Sequence, residues 1–160
     1  MKKIISIICF LLVVGFVFAT EWTTLNPVDE FGDPTDSVQI YTWIPNVKYG
    51  DYSWEYEDCA IIIAKGNAYC PYVPSFYIGS SGYSKWIIKI KIDDSTIHEY
   101  TGELYGGSYV YPDGFTYATS IISDLKEGCK IVIYPDNRYS TDKYNLGSIN
   151  LTITDLAKLK

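Results

Sequence analysis

Residues 86–92, reading WIIKIKI, alternate strictly enough to restrict the fold before anything else is considered. Trp86, Ile88, Ile90 and Ile92 fall on one side of an extended chain, and Lys89 and Lys91 on the other, the period-two pattern of a strand with one face in a core and one in water. Asp93, Asp94 and Ser95 follow with turn chemistry, and residues 96–104 return as a second strand, so residues 85–104 are predicted to form a hairpin. From Trp22 onward the same grammar repeats: short runs of Ile, Val, Tyr and Thr, punctuated by Gly, Pro, Asp and Asn. Further strands are expected at 38–43, 59–64, 73–78, 130–134 and 149–154, the last with Ile149, Leu151 and Ile153 inward. One short helix is expected at 119–127, stopped by Gly128. Unequal strands and long loops favour an antiparallel β-sandwich of about seven or eight strands over a closed barrel.

The N-terminus follows a different grammar. Lys2 and Lys3 precede a hydrophobic stretch over residues 4–18, and Val17 and Ala19 are small residues where a signal peptidase reads. Residues 1–19 are therefore read as a cleaved signal peptide and 20–160 as a single domain, secreted, periplasmic or at the cell surface, without a membrane span once the leader is gone. An uncleaved anchor is the alternative, but the apolar stretch is short for a span. Loss of Lys2 and Lys3 leaves 11 basic residues against 19 acidic ones, a net charge of −8. That balance repels phosphate backbones and argues against nucleic-acid binding.

Export places Cys59, Cys70 and Cys129 in an oxidising compartment. Cys59 and Cys70 flank a short segment and could close a disulfide, with three reduced, buried thiols as the alternative. A zinc site is disfavoured, because His98 is the only histidine and no Cys-x-x-Cys spacing occurs.

Catalytic signatures are missing from the sequence. It contains no G-x-S-x-G, no H-E-x-x-H and no glycine-rich phosphate loop, and His98 stands alone in a strand. Two features could carry binding. The first is VDEFGDPTD at 28–36, where Asp29, Glu30, Asp33 and Asp36 surround Gly32 and Pro34; clustered oxygen ligands could hold calcium, and the same residues also make an ordinary solvated turn. The second is the aromatic stretch Tyr41, Trp43, Tyr49, Tyr52, Trp54 and Tyr56. Exposed rings beside carboxylates can stack on sugars, and the candidate ligand-binding set is Trp43, Tyr49, Tyr52, Trp54 and Tyr56. The competing reading is rings that cap the open end of the fold. Tyr100, Tyr105, Tyr109, Tyr111 and Tyr117 show that tyrosine is plentiful throughout.

Trp22 followed by VDEFGDPT, and later DLKEGCKIVIY at 124–134, resembles the corresponding stretches of a loose group of small exported bacterial proteins, spirochaete ones among them. The chain departs from that group at Asp36, where the group carries Gly. The resemblance implies an exported β-sandwich and no particular chemistry. A non-enzymatic exported protein with a binding or structural role, its partner a protein or a glycan, is the first expectation. A carbohydrate-binding module using residues 41–56 is the second. A small secreted hydrolase is the third, and it would need two carboxylates facing each other roughly 5 to 10 Å apart. No cofactor is required by any of these, calcium aside.

Overall fold

The computed structural model describes residues 21–48 and 56–159. The protein is mostly β. Nine strands occur in chain order: β1 (Thr23–Leu25), β2 (Gln39–Lys48), β3 (Tyr56–Lys65), β4 (Tyr72–Tyr77), β5 (Lys85–Lys91), β6 (Ile97–Tyr105), β7 (Tyr109–Pro112), β8 (Cys129–Pro135) and β9 (Tyr144–Ile149). Two short helices accompany them, α1 (Phe115–Lys126) between β7 and β8 and α2 (Ile153–Leu156) after β9, and α2 runs into a 3-10 turn at Ala157–Leu159.

All nine strands join one antiparallel sheet in the order β1-β2-β3-β4-β7-β6-β5-β8-β9. The order is linear, so the sheet is open, with β1 and β9 as its edges. Its first four strands form a meander, but β4 then pairs with β7 and not with β5, so the β5–β7 meander is laid down in reverse. The connection from β7 to β8 must pass over β6 and β5. It does so through α1, which packs against β4, β7 and β8.

The expected hairpin forms as β5 and β6. Trp86, Ile88 and Ile90 are fully buried, and the register sets Lys85 opposite Glu103 and Lys89 opposite Glu99 on the other face. Both pairs are ion-paired, Lys89 to Glu99 at 2.9 Å. Directly opposed charges of this kind fix register more than they add stability at an exposed face. The turn is held by Asp93, whose Oδ1 accepts the backbone N–H groups of Ser95 and Thr96, each at 2.7 Å.

The inner face continues through Ile40, Ile61, Phe76, Val110, Ile131 and Ile133, each with no exposure, and Ile121 and Leu125 of α1 cover it. Trp22, 2 % exposed, closes the same core near the C-terminus: its Nε1 donates to the Asn150 carbonyl at 2.8 Å, and Lys158 Nζ donates to the Trp22 carbonyl at 2.7 Å. The first described residues and the last are thereby tied together.

Three expectations need correction. The tail at 149–154 is not a strand: β9 ends at Ile149, and Thr152 starts a helix through a capping box, its side chain accepting from the Asp155 N–H at 3.1 Å while its own N–H donates to Asp155 Oδ2 at 3.0 Å. Ile153, expected inward, is 76 % exposed. Helix α1 starts at Phe115, four residues before the expected start, because its N-cap is Gly114, which offers no side-chain cap. Gly128 does follow its end, with φ +75°.

The third correction concerns cysteine. Cys59, Cys70 and Cys129 are all buried free thiols. Cys59 pairs with Ile44 towards the start of β3, whereas Cys70 sits in the turn beyond Lys65 at the far end. About 20 Å of extended strand separates Cys59 from that turn, where a disulfide tolerates a Cα separation of about 7 Å at most. The turn has its own lock: Gly66 lies so close to the Cys70 carbonyl that a Cβ there would stand 1.8 Å from the oxygen, so only glycine fits.

Candidate functional site

The outward-facing side chains of β2, β3, β4 and β7 gather aromatic rings from parts of the chain far apart in sequence. The register runs Trp43 opposite Ala60, Ala60 opposite Tyr77, Tyr77 opposite Tyr109 and Tyr109 opposite Tyr105, a single row crossing five strands. At the usual strand spacing such a row is about 19 Å long. Ala60 leaves a gap in its middle, and the flanking rings lean over it, bringing the centroids of Trp43 and Tyr77 to 6.0 Å at an interplanar angle of 82°. Tyr41, two residues before Trp43 and so on the same face, stands 6.3 Å away at 79°. Tyr77 and Tyr109 lie 5.2 Å apart at 55°.

These rings wall a cleft of about 400 Å³ whose floor is Ala60 and Ile62, with the Gln39 amide at its edge. Trp43 remains 56 % exposed although both neighbours hold its orientation. An exposed tryptophan in a fixed pose keeps its apolar area in water, where burial would be favourable by a few kcal/mol, about 25 cal/mol per Å².

Of the candidate ligand-binding residues, Trp43 lies in this cleft. Tyr56, 62 % exposed, opens β3 on the same face, since residues 56, 58 and 60 alternate with buried Cys59. Tyr49, Tyr52 and Trp54 fall outside the described residues. The structure brings in Tyr77 and Tyr109, which sequence reading missed because their pairing depends on β4 meeting β7. The one available signal was the period-two placement of Tyr109 and Tyr111 within a short β-like run.

The acidic turn is built as a turn. Asp29 Oδ1 accepts the N–H groups of Phe31 at 2.9 Å and Asp33 at 3.0 Å, and the Asp29 N–H donates back to the Asp33 carbonyl at 2.9 Å. Among the described residues no three His, Cys, Asp or Glu side chains are placed together to hold a metal ion. The Asp29 carboxylate is used in closing the backbone of the turn that also carries Glu30, Asp33 and Asp36.

A second polar cluster lies on the inner face. Asp124 of α1, only 6 % exposed, accepts a 2.6 Å hydrogen bond from the Tyr100 hydroxyl, and its Oδ2 stands 2.8 Å from His98 Nδ1. Burial, the hydrogen bond to Asp124 and its charge together push the Tyr100 phenol above its ordinary range. The Cys129 thiol is pushed up to about 12, mainly by burial and then by the Asp124 charge. Chemically this is a histidine oriented by a carboxylate, with the Tyr100 hydroxyl 3.3 Å from the same Nδ1. Its evident work is to tie α1 to β6.

Among the described residues no helix is long and apolar enough to cross a membrane. The protein is therefore defined by its architecture, an open antiparallel sheet carrying an aromatic cleft on its outer face and a helix-covered core on its inner one. No family model, curated protein or solved structure matches the chain.

Proposed function

We propose that this is an exported, non-enzymatic binding protein of the periplasm or cell surface, and that the outer-face aromatic cleft is its recognition surface. The observation that carries this reading is Trp43, more than half exposed yet held between Tyr41 and Tyr77. Rigid aromatic side chains in a concave, mostly apolar site are the usual makings of a ligand pocket. The signal-like N-terminus and the likeness of Trp22 and VDEFGDPT to small exported bacterial proteins support the compartment. On the same reading the fold is the β-sandwich expected from sequence. We read the single sheet as coiled, its β2 and β9 sides approaching across one core; the contact between those strands and the bond from Tyr144 to Glu57 support that.

A carbohydrate ligand is the second reading, favoured by the open face of the Trp43 indole, on which a pyranose can stack. The steep angles between neighbouring rings suit one or two sugar units gripped in a cleft better than a flat polysaccharide surface. A glycan-array screen of the exported protein, beside Trp43→Ala and Trp54→Ala and repeated with a calcium chelator, tests it. Binding lost in Trp43→Ala supports the sugar reading, and binding lost only on chelation would return attention to the acidic turn. No binding on any array would retire the sugar reading.

A further inference from the structure

Resting on the reading of the outer-face cleft as a binding site, we infer that its ligand class is a small organic cation, a quaternary or methylated ammonium group, rather than a neutral sugar. The first ground is the angle at which the rings meet. A cation–π contact needs the charge within roughly 6 Å of a ring centroid and over its face, and rings set steeply to one another offer faces in more than one direction. Tyr41 and Trp43 meet at 6.3 Å and 79°, and Trp43 and Tyr77 at 6.0 Å and 82°. Both contacts are T-shaped, the edge of one ring against the other, so the three rings present faces in different directions around Ala60, the small residue of the cleft lining.

The second ground is the polarity of the lining. Among the described residues its polar side chains are Gln39 and the tyrosines, and no described lysine or arginine lines it. A sugar carries several hydroxyls that would go unpaired against Ala60 and Ile62, and each buried unpaired group opposes binding. A quaternary ammonium has no hydrogen bond to lose.

The third ground is charge. Asp58 shares the outer face with Ala60, one alternation along β3, and is exposed. From residue 20 on the chain carries 19 acidic residues against 11 basic ones, a balance that favours cations over anions at long range.

The test is calorimetric titration of the exported protein with tetramethylammonium and choline, beside 3,3-dimethylbutan-1-ol, a neutral molecule of the same shape as choline. Trp43→Ala and Trp43→Phe are titrated in parallel, with circular dichroism confirming that both fold. The inference expects saturable binding of both cations, binding of the neutral alcohol weaker by about tenfold or more, loss in Trp43→Ala and partial retention in Trp43→Phe. Equal binding of cation and alcohol would overturn the cation assignment while leaving a binding cleft. Glycan binding to the same residues without cation binding would do likewise. Cation binding unchanged in Trp43→Ala would place the cation elsewhere and overturn the inference.

Discussion

Asp124 on α1 and Tyr100 on β6 are joined by a 2.6 Å hydrogen bond beneath the helix, the carboxylate accepting from the phenol with His98 alongside at 2.8 Å. The bond fastens the crossover helix to the middle of the sheet. Removing the acceptor strands a phenol that is itself only 7 % exposed. Asp124→Ala is expected to lower stability by about 1 to 3 kcal/mol, with Asp124→Asn, which keeps an acceptor, losing less. Urea unfolding of the two variants beside the parent measures this.

The same pair predicts an alkaline limit. The Tyr100 phenol is raised above its ordinary value in the folded state by burial and by Asp124, so the fold favours the neutral form. The stabilisation from that preference is complete below the unfolded tyrosine pKa, about 10, and is lost as pH rises towards the higher folded value. The urea midpoint should fall above pH 10, and Tyr100→Phe should flatten that part of the profile.

At the β5–β6 turn the sign is opposite. The Ser95 and Thr96 N–H groups, with the Ser95 hydroxyl, lower the Asp93 carboxyl from its ordinary value to about 2. The hairpin contribution of this charge is present above about pH 4 and disappears as pH falls towards 2. Carbon NMR titration should find Asp93 among the last carboxylates to protonate, and Asp93→Ala should destabilise the turn at neutral pH.

The thiols should be inert. Burial first, then Glu57 and Asp58, pushes Cys59 up to about 12, and Cys129 stands equally high. Folded protein is expected to leave both unlabelled by iodoacetamide at pH 8, and denatured protein lacking residues 1–19, and so Cys9, to yield three free thiols under non-reducing conditions. A bridged Cys59–Cys70 peptide in the digest would contradict the strand register.

Two tryptophans should behave in opposite ways. Trp86 has no exposure and its Nε1 donates to the Tyr83 carbonyl at 3.0 Å, so Trp86→Ala should cost about 3 to 5 kcal/mol. Trp43→Ala should leave stability within about 1 kcal/mol, because the ring is largely in water. Thermal and urea melts of both decide the matter.

What could be read from sequence was whatever is local. The alternation at 86–92 and the turn residues after it specified the β5–β6 hairpin, because both signals lie within one short stretch. Ile149, Leu151 and Ile153 misled by the same logic: three alternating apolar residues look like a strand, yet the T-x-x-D of Thr152 and Asp155 caps a helix and turns Ile153 to solvent. Helix α1 lost its first turn in the reading because Gly114 gives no side-chain signal. The site was half legible. Trp43 stands out in sequence, but its partner Tyr77 reaches it across β3, and Tyr109 joins only because β4 skips β5 and β6 to pair with β7. Asp124 meets His98 through a helix that crosses the sheet, a relation that no spacing rule encodes.

On the proposed reading, the cleft around Trp43 is where this protein meets its ligand. A thermal-shift screen of glycans and small organic molecules, run on the parent, on Trp43→Ala and on Phe31→Ala, an exposed ring in the acidic turn, tests it most directly. The expected result is at least one compound that stabilises the parent and Phe31→Ala but not Trp43→Ala. Compounds that stabilise all three alike, or that lose their effect only in Phe31→Ala, would contradict it.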